Sequence, residues 1–123
     1  MSSVLITVVA LFFAGMGVFA LAAPQALVAP FRISLQGGEG RAEVRAVYGG
    51  FGVAIAGLLT FAAIEPSRAT GIVVTVAAAV LGMAFGRLVS RVFDRPAAFY
   101  PIWFYFWVEI LAGAILLTAV ALP

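Results

Sequence analysis

Four long apolar stretches, separated by short polar or proline-marked breaks, organise the chain. They run from about Val4 to Ala23, Arg45 to Ile64, Ala69 to Leu88 and Ile102 to Leu122. Each is close to the roughly 20 residues that an α-helix needs to cross a bilayer. Pro24, Pro66 and Pro101 fall at or just outside stretch ends, where proline punctuates a helix instead of breaking it. Leu35 to Gly40, "LQGGEG", reads as a flexible turn. No strand precedes it and no GK[ST] follows, so it is not a phosphate loop. The pattern predicts one all-α domain over residues 1–123, an integral membrane four-helix bundle.

The first stretch ends in "ALAAP", which resembles a signal-peptidase site. However, "MSS" supplies no positive n-region and the apolar run is long for a signal peptide. It is read as a retained helix.

Composition agrees with the pattern. The chain is 65% hydrophobic and 10% charged, against about 45–50% and about 25% in soluble domains. It contains no Cys, His or Lys. Thiol chemistry, most zinc and haem sites, and Schiff-base catalysis are therefore excluded, and no cofactor or metal is expected. Seven basic residues, all Arg, against five acids describe no nucleic-acid patch. Their placement sets topology instead. Arg32, Arg41, Arg45, Arg87, Arg91 and Arg95 lie by the first and third loops, and Arg68 alone lies on the other side. By the positive-inside rule, both Arg-rich loops are cytoplasmic and both termini lie outside. That imbalance argues against a dual-topology multidrug exporter, and the lack of an internal repeat pair argues against a transporter.

One charge needs an explanation. Glu109 sits in "FYFWVEILAG", where a charge at mid-membrane costs roughly 2.5–3.5 kcal/mol. At helical spacing Ile102, Tyr105, Phe106, Ala112, Gly113 and Leu116 share its face, while Trp103, Trp107 and Leu111 face away toward lipid. Glu109 should therefore point into the bundle. It lies roughly 10 Å along the helix from the cytoplasmic end, within reach of a long Arg stem. Arg45 or Arg87 is the expected partner, with Tyr48 adding a hydrogen bond and Arg91 and Asp94 on the Arg87 face. Two small-residue lines offer close-packing surfaces, within the bundle or toward another subunit: Ala42, Ala46, Gly50 and Ala54, and Gly82 with Gly86.

Two segments resemble a bacterial membrane family, DUF4345, a domain of unknown function. In "RAEVRAVYGGFGVAIAGLLTFAA" the resemblance rests on Glu43, Arg45, Ala46, Tyr48, Gly49 and Gly50. In "GRLVSRVFDRP" it rests on Arg87, Ser90, Asp94 and Pro96, followed by Glu109, with Arg95 where the family usually carries Gly. The resemblance covers most of the chain from Arg41 onward and implies a bacterial four-helix integral membrane protein, for which the inner membrane is the expected location. Two functions fit. One is a non-enzymatic accessory subunit that packs against itself or a larger membrane complex. The other is a binder of, or an enzyme acting on, a lipid or hydrophobic molecule with a polar head, built on Glu109, Arg45, Arg87, Tyr48, Arg91, Asp94 and Glu43.

Overall fold

A computed structural model describes residues 2–123. Four long helices form the molecule: α1 (Ser3–Ala22), α2 (Gly38–Ile64), α3 (Pro66–Phe93) and α4 (Phe99–Ala121), all apolar and long enough to cross a membrane. The described residues contain no strand. A short helix, Pro24–Val28, turns the chain after α1.

Local chemistry sets the ends. Ser2 caps α1 by accepting from the Leu5 N–H, and Pro66 opens α3 at a position where its missing N–H costs nothing. Helix α2 begins seven residues before the expected Arg45, so Gly38, Glu39 and Gly40 form its first turn and are not part of a flexible loop. Helix α3 likewise extends beyond the expected span at both ends. Both additions carry charged residues, and hydropathy marks only the lipid-crossing middle of a helix.

The helices pack in chain order around a ring, with α1 also against α4. A shared core receives Ile6, Val9, Ala10 and Phe13 from α1, and Ala56, Leu59 and Ala62 from α2. Helix α3 adds Val73, Val76, Ala77 and Val80, and α4 adds Ala112, Leu116 and Ala119. The termini meet at one end of the bundle, where the Ser2 N–H donates to Ala119 O and the Ser3 hydroxyl to Ala63 O.

The closest helix approach differs from the expected one. Ala42, Ala46, Gly50 and Ala54 are exposed, as are Gly82 and Gly86, and a methyl group at Gly82 or Gly86 would touch nothing. The tight contact lies between α1 and α2, through Gly17, Gly49 and Gly52. The reason is a π-helical turn at Arg45–Gly50. The buried α2 positions run Val44, Gly49, Gly52, Ala56, Leu59 and Ala62, with a step of five across that turn and steps of three or four afterwards. A wider turn inserts one residue, so a line drawn every fourth residue through it no longer marks one face. Gly113 behaves as expected and is buried against Leu81.

At the end of α3, Arg95 occupies the left-handed region with φ 48°, and its N–H bonds to Ser90 O. The turn therefore keeps the conformation a glycine would take, with an arginine bearing the steric cost. That cost is about 1–2 kcal/mol for a side chain with Cβ, and glycine's extra chain entropy returns about 0.5–1 kcal/mol of it. Arg95→Gly is expected to stabilise the protein by about 0.5–1 kcal/mol, read as a rise in unfolding midpoint in detergent.

Candidate functional site

Glu109 is the buried charged residue of the core, 6% exposed, on α4 beside Phe106, Ala112 and Gly113. Opposite it on α3, Arg87 meets the carboxylate fork to fork. Nε donates to Oε1 at 2.8 Å, and Nη2 donates to Oε2 at 3.0 Å. This is the one ion pair among the described residues. Bidentate geometry of this kind is the strongest form of the Arg–carboxylate interaction. Arg87 also lies beside two neighbouring aromatic rings, with its guanidinium carbon 5.8 Å from the centroids of both Phe31 and Tyr105. Those rings sit 5.5 Å apart and supply a cation–π contribution.

The pair closes one end of an apolar cavity of about 150 Å³. All four helices contribute to the wall, through Phe13 and Met16, Tyr48, Val80 and Met83, and Val108 and Ala112. The first loop completes it with Leu27, Val28, Phe31 and Ile33. Gln25 holds that loop in place, since its amide donates to Ile33 O at 2.9 Å and accepts from the Leu35 N–H at 2.7 Å. A second cavity, about 320 Å³, lies between α2 and α3 and shares Phe13, Met16, Tyr48, Val80 and Met83 with the first.

Of the two arginines expected near Glu109, Arg87 is the partner. Arg45 turns the other way, and its Nε donates to Leu21 O at 3.0 Å. Leu21 lies in the last turn of α1, so Arg45 satisfies a terminal carbonyl at the negative end of that helix. The π-helical turn that Arg45 opens displaces its face from the Glu109 side. Tyr48 lines both cavities, and its hydroxyl makes no hydrogen bond to the pair. Glu43, Arg91 and Asp94 are exposed and stand apart from Glu109, because the bilayer-edge ends of α2 and α3 extend past the cavity.

Helix α4 meets the expectation on its inner face. Phe106, Ala112, Gly113 and Leu116 are buried, and Trp107 and Leu111 point outward. Trp103 is the exception. It is half-buried and its indole N–H donates to Pro96 O at 2.7 Å, tying the α3–α4 loop to α4. Sequence reasoning also missed Phe31 and the first loop. The available signal was "LVAPF", an apolar run continuing past the proline that ends the first span.

These features define a small multi-pass membrane bundle with one buried ion pair at the head of an apolar cavity. The chain belongs to the DUF4345 family, a domain of unknown function, whose profile matches residues 1–120. The match thus includes α1, beyond the segments from Arg41 onward that carry the motif resemblance. Searches of curated proteins and of solved structures returned no match. Among the described residues no three His, Cys, Asp or Glu side chains come together as metal ligands would.

Proposed function

We propose that this protein binds a hydrophobic molecule with a polar head, the head at Arg87 and Glu109 and the body in the apolar cavity. The observation that carries this reading is the placement of the ion pair. A purely structural pair would be packed on all sides, whereas this one forms part of a cavity wall of otherwise apolar side chains. Apolar pockets with a few convergent polar groups are the usual form of a small-molecule site. Intramembrane charges are likewise functional candidates by default. The site lies in the cytoplasmic half of an inner-membrane protein with periplasmic termini, a placement that rests on the arginine asymmetry.

A second reading is a non-enzymatic accessory subunit, alone as a homo-oligomer or within a larger membrane complex. It is favoured by the outward position of Gly82, Gly86, Gly50 and Ala54, which the bundle itself leaves uncovered.

Native mass spectrometry of protein gently extracted from its own membrane separates the two. Under the binding reading, the wild type carries one defined small mass, and Glu109→Gln loses it without any change in oligomeric state. Under the accessory reading, a larger stoichiometric assembly is seen, Gly82→Ile dissociates it, and Glu109→Gln does not. A bare monomer with neither mass nor partner would remove both.

A further inference from the structure

The chemistry of the cavity head selects among polar groups. Both Glu109 oxygens already accept hydrogen bonds from Arg87. A guanidinium carries about five N–H groups, and this pairing uses only two of them. Nη1 has no protein partner among the described residues and is not fully buried, and Arg87 lines the cavity. Tyr48 also lines this cavity. The head thus offers hydrogen-bond donors, while its two formal charges cancel. An anionic head would lie beside Glu109 with no unpaired cation to meet it, and an ammonium would find the carboxylate occupied. Either would bring an uncompensated charge into an apolar cavity. A neutral acceptor such as a carbonyl oxygen has no such cost.

The second cavity supplies the route. It lies between Val47, Phe51 and Ile55 of α2 and Val76, Ala79 and Met83 of α3, and it shares Tyr48 and Met83 with the lining of the first. Val47 and Phe51 are each 51% exposed on the outer surface of the bundle, where lipid tails lie. We infer that the ligand is a lipid-soluble molecule with a neutral carbonyl head, that it enters sideways from the bilayer between α2 and α3, and that its tail stays in that cleft while its carbonyl accepts from the free N–H groups of Arg87. This rests on the ligand-binding reading above and narrows it.

The test uses the full-length protein stripped of co-purifying lipid in detergent. Three probes of equal chain length, 2-tridecanone, tridecanoate and tridecane, are compared by native mass spectrometry. The ketone is expected to bind one per protein, with at least ten-fold lower occupancy for the carboxylate and the alkane. Ala79→Trp fills the cleft from the exposed side of α3 and is expected to cut ketone occupancy ten-fold without lowering the unfolding midpoint. Should that variant misfold, Val47→Trp closes the cleft from α2.

Carboxylate binding as strong as the ketone would overturn the head assignment, and ketone binding indifferent to the filled cleft would overturn the lateral route. Either result leaves the ligand-binding reading standing. If no probe binds but Glu109→Gln releases a native molecule, only the carbonyl assignment fails. If no probe binds and no native molecule co-purifies, both fail.

Discussion

Glu109→Gln is expected to destabilise the bundle by about 3 kcal/mol, the lower part of the range for breaking a buried ion pair from one side. Glutamine keeps the size of glutamate and one acceptor oxygen, so packing against Phe106 and Ala112 changes little. What changes is the charge. Arg87 retains a full positive charge whose side chain is only 20% exposed, with no carboxylate beside it. That residual exposure, with the length of the arginine stem, lets the guanidinium move partly toward the interface and keeps the cost below the upper limit. Arg87→Met, which strands the carboxylate instead, is expected to cost at least as much, because Glu109 is the more buried partner and its shorter stem cannot reach water. The double variant Arg87→Met/Glu109→Leu is the informative one. Well-packed apolar replacements of a buried pair are commonly neutral or better, so stability should return to within about 1 kcal/mol of wild type. A double-mutant cycle measured by unfolding in detergent reads all three values. A double variant that regains stability yet loses its bound molecule would mean that the pair is kept for binding and not for folding. A double variant as unstable as either single change would instead show that the surrounding rings and helices require the pair itself.

The parts of this molecule that could be read from sequence are those set by one-dimensional chemistry. Four spans followed from run length. The inward face of α4 followed from placing Glu109 among Phe106, Ala112, Gly113 and Leu116 at helical spacing. That Glu109 needs an arginine followed from the cost of a lone charge in lipid. The choice of Arg87 over Arg45 did not follow, because it depends on the local pitch of α2. The π-helical turn at Arg45–Gly50 rotates Arg45 toward the α1 terminus. It also moves the packing line from Gly50 and Ala54 onto Gly49 and Gly52. Hydropathy carries no information on pitch, and both helix types expose the same residues to a sliding window. Phe31 and the first loop were invisible for another reason. A loop that folds back over a cavity is held by contacts such as those of Gln25 with Ile33 and Leu35, and these have no periodic signature.

Gly17→Leu is expected to have the largest effect of any single substitution in the helix interface, unfolding the α1–α2 contact at a cost of about 3 kcal/mol or more. This exceeds the usual penalty of about 1–3 kcal/mol for an overpacked core. The argument turns on what the new atoms would meet. Even the first carbon of a side chain at Gly17 would lie 2.8 Å from Val53 N and 2.9 Å from Gly49 O. These are backbone atoms of the facing helix and cannot rotate away, so relief requires the two helices to separate. Separation undoes the reciprocal contact as well, because Gly52 approaches Gly17 Cα at the distance its own missing Cβ allows. In a bilayer this matters more than in water, since helices are held together by close van der Waals packing and no hydrophobic force opposes their parting. Gly113→Ala is the internal comparison. Its methyl would meet Leu81 Cδ2 at 2.5 Å, a tighter approach in distance but to the far end of a flexible side chain that can adopt another rotamer. Gly113→Ala is therefore expected to cost about 1 kcal/mol, and even Gly17→Ala more than that. Unfolding midpoints of Gly17→Ala, Gly17→Leu and Gly113→Ala in one detergent give the order. If Gly113→Ala proved the most damaging of the three, Leu81 would be locked in place and the α3–α4 seam, which carries the ion pair, would be the rigid element of the bundle instead of α1–α2.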